Sequence, residues 1–87
     1  EEAIMLAREF LEGRGYGVGA LISTEFALEY PNYYWYDIFG MEIPYWKLED
    51  LLWIVSFEQE TDASQYFEVW VNIYSGEIMG GGQGPMT

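Results

Sequence analysis

Two residue types are missing from this 87-residue chain, histidine and cysteine, and their absence narrows the chemistry before any pattern is read. Without cysteine there is no disulfide, no thiolate zinc site and no thiol nucleophile. Without histidine the usual general base and the commonest metal ligand are gone. Ser23, Ser56, Ser64 and Ser75 therefore lack the partner that would activate them, and each fits a strand or a turn. Paired carboxylates are the remaining option. Glu58 and Glu60 fall on one face of an extended segment, and Glu68 is placed to approach from a neighbouring one. Such a set can hold a divalent cation through oxygen or support acid–base work, but the spacing is not that of an EF-hand, and solvated strand ends commonly carry Glu. Lys47, beside Tyr45 and Trp46, reads as a surface lysine lying on an aromatic ring. Gly80, Gly81, Gly82 and Gly84 have neither the preceding strand register nor the following helix of a phosphate cradle. The expectation is no catalytic residue, no cofactor and no metal.

What the chain has in quantity is aromatic surface: 4 Trp, 8 Tyr and 5 Phe. Tyr66, Glu68, Trp70, Asn72 and Tyr74 alternate with Phe67, Val69, Val71 and Ile73, so one row suits a core and the other faces away from it. Of the twenty residues 31–50, six are Tyr or Trp (Tyr33, Tyr34, Trp35, Tyr36, Tyr45 and Trp46) and two are proline. Two readings stand. In one, residues 31–46 fold over the outer row as a second layer of core. In the other, Tyr66, Trp70 and Tyr74 join Tyr33, Tyr34, Trp35, Tyr36, Tyr45 and Trp46 in a surface that meets another protein, since Tyr and Trp supply large rigid contact area.

The elements that must position these residues follow from periodicity. Ala3, Leu6, Ala7, Phe10 and Leu11 share one helical face over residues 2–12, and Gly13 and Gly15 stop the helix. From Tyr16 the period becomes two. Val18, Ala20, Ile22, Phe26, Leu28 and Tyr30 line one side of a strand that Pro31 ends. A further short strand fits Tyr34–Phe39. Leu51, Trp53, Val55 and Phe57 define the next strand, and Thr61–Ser64 offers a hairpin turn. The return strand runs from Gln65 to Tyr74, and Ser75-Gly76 turns into a short closing strand at Glu77–Met79. Residues 1–79 thus form one α+β domain, a helix on an antiparallel sheet of three to four strands, and 80–87 read as a flexible glycine-rich tail.

Charge narrows the partners. Fifteen acidic residues against three basic ones give a net charge of −12, which repels nucleic acid and anionic membranes and favours a basic protein. Solubility, or adaptation to a salty habitat, accounts for the acidity equally well. No apolar run reaches the ~20 residues of a membrane-spanning helix.

Three segments resemble the PepSY domain family: Trp53-Ile54-Val55-Ser56-Phe57, then Tyr66-Phe67-Glu68-Val69-Trp70-Val71-Asn72, then Ser75-Gly76-Glu77-Ile78, with Ala3, Ala7, Phe10 and Leu11 preceding Gly15-Tyr16. Together they cover about half of the chain. Asn72 and Ser75 stand where that family more often has Asp and Thr, and residues 31–46 have no counterpart in it. The resemblance implies a helix against a curved, cystatin-like antiparallel sheet without catalytic residues. It also implies an extracytoplasmic setting and a role in inhibiting or modulating a peptidase. The alternative that charge and size support is an acidic immunity protein, cytoplasmic, that neutralises a basic toxin or nuclease.

Overall fold

The amphipathic face at the start of the chain forms an α-helix, Glu2–Gly13 (α1), in the computed structural model, which describes residues 2–42 and 49–86. Ala3, Ala7 and Leu11 recur every fourth position and are buried, the last two with no exposed surface. Small residues on the first two turns let the helix approach the sheet closely, and Leu11 fills the space that opens beyond them. At the helix end, Tyr16 N–H donates to the Leu11 carbonyl at 3.1 Å, bringing the Tyr16 ring down onto the core.

Beneath α1 lies a four-stranded antiparallel sheet in simple meander order: β1 (Val18–Glu29), β2 (Asp50–Gln59), β3 (Asp62–Asn72) and β4 (Ile78–Pro85). Register and alternation agree. Val55 sits opposite Val69 and Phe57 opposite Phe67, and all four are buried under α1 with Val71. Each apolar side chain of this size removed from water stabilises the fold by about 1.5–3 kcal/mol, and these residues make the main core. The hairpin between β2 and β3 turns on Glu60-Thr61 alone, a tighter turn than the four residues expected. The radius of gyration, 12.2 Å, is close to the ~12 Å of a compact domain of this length.

The glycine-rich segment is not a tail. Residues 78–85 pair with β3 from Val71↔Ile78 to Gln65↔Pro85 and close one edge of the sheet. Gly80 and Gly81 carry φ of 155° and 150°, where L side chains are strained. A Cβ at Gly81 would collide with the Glu68 carbonyl oxygen and Trp35 Nε1, and one at Gly80 with the Asn32 amide. Bare backbone is required because another layer lies directly on it.

That layer is a short helix, Tyr34–Phe39 (α2), where the sequence suggested a strand. Asn32 sets it up. Its side chain exchanges two hydrogen bonds with Gly81, donating to the carbonyl at 2.8 Å and accepting from the N–H at 2.9 Å, and it accepts from Tyr34 N–H at 3.0 Å. One amide thus anchors the start of α2 and occupies the outward backbone groups of an edge strand. Tyr33, between them, adopts a left-handed conformation at φ 59°. Among the described residues no helix is long and apolar enough to cross a membrane.

Candidate protein-binding surface

Of the nine aromatic residues expected to form one contact surface, Tyr45 and Trp46, like Lys47, lie outside the described residues, and the other seven are distributed over three places. Trp35 is part of the core, with no exposed surface. Its ring stacks on Phe39 at 5.9 Å and meets the rings of Phe10 at 6.0 Å and Phe67 at 6.3 Å, and its Nε1 donates to the Glu68 carbonyl at 3.0 Å. Trp35 is therefore removed from the contact surface. Tyr33, Tyr34 and Tyr36 remain partly accessible around it, on the α1 side of the sheet. Burial pushes the Tyr36 phenol above its ordinary pKa; the Glu77 carboxylate adds to that and Arg14 opposes it.

Tyr66 and Trp70 project from the opposite face, because they alternate with Phe67 and Val69 on β3. They are half-buried and are not covered by Tyr34, Trp35 or Tyr36. Tyr66 lines a shallow groove of about 510 Å³ with Ile22, Ser23, Ser56, Pro85 and Met86. Trp70 Nε1 donates to Glu68 Oε1 at 2.8 Å, so the Glu68 carboxylate serves its own strand. Among the described residues no three acidic groups gather as a metal site, and the set of Glu58, Glu60 and Glu68 does not assemble. Tyr74 follows the end of β3 and separates from this row. At 79% exposed, it borders a cleft of about 350 Å³ with Leu6, Trp53 and Ile73.

Exposed apolar residues gather on β1 and directly after it. Phe26, Leu28 and Tyr30 are 54%, 55% and 58% exposed, and Leu21 and Ile22 are each above 40%. The alternation expected to bury this row holds only in part. Two irregularities, between Val18 and Leu21 and between Leu21 and Ser23, change the phase of the strand, so Ile22 turns to the outer groove while Val18 stays in the core. From Ser23 to Glu29 the register with β2 is continuous. Phe26 pairs with Trp53 and its ring meets the indole at 5.2 Å, on the same side as α1. The start of α1, at Glu2, Ala3 and Leu6, borders the cleft beside Trp53, yet Phe26 and Leu28 stay more than half exposed, so the apolar side chains of β1 keep an uncovered face.

Electrostatics sharpen the picture. Arg8 lies over the Phe57 ring at 4.8 Å and donates to the Val18 and Gly19 carbonyls at 3.4 and 3.2 Å. Arg14 sits over the rings of Phe10 and Phe39, each at 5.4 Å. Both described cations thus serve the fold, while Glu25, Glu29 and Glu49 are exposed at the β1 end of the sheet. The sequence signal for this surface was the apolar series of β1 itself; that Phe26 and Leu28 stay uncovered shows only in the fold. Comparison with protein-family models, with curated proteins and with solved structures finds no match to this chain.

Proposed function

We propose that this chain is a non-enzymatic protein-binding domain that regulates its partner, in the manner the PepSY resemblance implies for a peptidase. The observation that carries the reading is the uncovered apolar face of β1, with Phe26 and Leu28 more than half exposed beside the Trp53 indole. Exposed apolar clusters of this kind on a small acidic domain mark interaction sites. A second reading, neutralisation of a basic toxin or nuclease, is favoured by the engagement of Arg8 and Arg14, the two described cations, within the fold, while Glu25, Glu29 and Glu49 are exposed.

Affinity capture on the immobilised chain tests both, with the Phe26→Asp/Leu28→Asp double variant as the control. Both side chains are exposed, so the variant keeps a cooperative unfolding transition. The expected result is a peptidase retained by the wild-type chain, lost on the variant, and changed in rate when the wild-type chain is added. A retained basic toxin or nuclease whose binding falls steeply with salt selects the second reading. Equal retention of every protein by wild type and variant overturns both.

A further inference from the structure

The geometry points to strand addition at β1: the edge of residues 23–29 takes up an extended segment of a cationic protein, whose apolar side chains pack beside Phe26 and Leu28 and whose Lys or Arg side chains lie beside Glu25 and Glu29. This deepens the protein-binding reading and rests on it.

The two edges of the sheet are treated differently. On β4, the outward N–H and C=O of Gly81 are taken by Asn32 and the edge is shielded by α2. On β1, Arg8 occupies the carbonyls of Val18 and Gly19, and the irregular pairing there bends the strand. Beyond Ser23 these protections stop. Residues 23–29 run in unbroken antiparallel register with β2 and contain no proline, no lysine and no bulge, the usual devices that blunt an edge. Alternate residues of an edge strand aim their backbone groups away from the sheet, and among the described residues no hydrogen bond to that side of 23–29 is found.

The occupant follows from the side chains. Phe26 pairs with Trp53 and Leu28 with Leu51 on one face; Glu25, Ala27 and Glu29 stand on the other, with Asp50 opposite Glu29. A strand laid against this edge therefore meets an apolar row on one face and carboxylates on the other. Alternation of apolar and cationic residues satisfies both. A second copy of this chain does not, because each copy carries a net charge of −12 and antiparallel pairing centred on Ala27 sets Glu25 against Glu29.

The probe is an end-capped peptide of alternating lysine and valine, titrated into the full chain labelled with ¹⁵N, with three controls. One is the glutamate–valine peptide, another carries N-methyl groups on alternate amides in both possible phases, and the third pairs the unmodified probe with the Glu25→Lys/Glu29→Lys variant. Strand addition predicts amide shift changes and slowed hydrogen exchange concentrated at residues 23–29. It also predicts loss of binding with one phase of N-methylation and about tenfold weaker binding to the charge-reversed variant. Binding that ignores N-methylation, or shift changes confined to Tyr66 and Trp70, overturns strand addition and leaves the protein-binding reading intact. Absence of any binding by the lysine–valine peptide overturns the inference alone, since the capture experiment with Phe26→Asp/Leu28→Asp decides the broader reading separately.

Discussion

Two side chains show how local hydrogen bonding fixes the turns of this sheet. Asn72 is 7% exposed and fully engaged: its Oδ1 accepts from the N–H groups of Tyr74 and Ser75 at 2.8 and 2.9 Å, and its Nδ2 donates to Asp50 Oδ2 at 2.7 Å. Asn72→Ala leaves these donors without an acceptor and is expected to cost about 2 kcal/mol in chemical denaturation. Asn72→Asp restores the acceptor but sets a second carboxylate against Asp50 in place of a donor, so it too is expected to lower stability in the same measurement. Asp62, after the hairpin turn, accepts from Ser64 Oγ at 2.6 Å and from Ser64 N–H at 3.0 Å, and these bonds hold its carboxyl below the ordinary carboxylate pKa. A depressed folded pKa means that the stabilisation is present above the unfolded value of about 3.9 and disappears as pH falls through the folded one. Carboxyl-carbon titration by NMR is expected to give a midpoint for Asp62 below that of the free side chain, and Ser64→Ala is expected to move it back up.

At the scale of elements, the contrast between neighbouring glycines on β4 gives the clearest test. Gly81→Ala forces a Cβ onto the Glu68 carbonyl and Trp35 and places alanine at φ 150°, with an expected cost of about 3 kcal/mol or more. Gly82 has open space around a Cβ, so Gly82→Ala is expected to be neutral or slightly stabilising. Thermal melts of the two variants compare them directly, and similar losses in both would mean that α2 does not rest on β4. These two elements are also where the sequence was hardest to read. A strand written Ile-Met-Gly-Gly-Gly-Gln-Gly-Pro has no apolar alternation, and its glycines signal close approach only once the overlying Asn32 and Trp35 are known. Six residues of α2 with one buried side chain are too few to display a helical period. By contrast, α1 and β3 were legible, because their buried apolar residues recur at spacings of four or two; on β2, Val55 and Phe57 keep that spacing, while Leu52, also buried, falls on the other face. For β1, periodicity revealed the strand; it could not show that Phe26 and Leu28 stay more than half exposed.

For the whole molecule, the net charge of −12 acts on folding and on binding in opposite directions. Within the folded chain the carboxylates repel one another, and compactness brings them closer than they lie in the unfolded chain. The described arginines do little to relieve this at the β1 end, since Arg8 and Arg14 lie over Phe57, Phe10 and Phe39. Salt screens the repulsion, so raising ionic strength from about 10 to about 200 mM shortens the Debye length from ~30 Å to under 10 Å, well inside the 34 × 27 × 24 Å extents of the domain. The expected outcome is a rise in Tm of several degrees, since about 1 kcal/mol corresponds to ~4–8 °C for a domain of this size. Over the same range a cationic partner associates more slowly, because the long-range attraction that steers it toward the acidic surface is screened. Calorimetry and stopped-flow mixing with the lysine–valine peptide measure the two effects on one sample. A Tm that rises while the association rate falls assigns both to the same uncompensated carboxylates. A Tm that falls with salt would mean instead that attractive pairs dominate the folded state, and an association rate indifferent to salt would mean that encounter is governed by the apolar face of β1 alone.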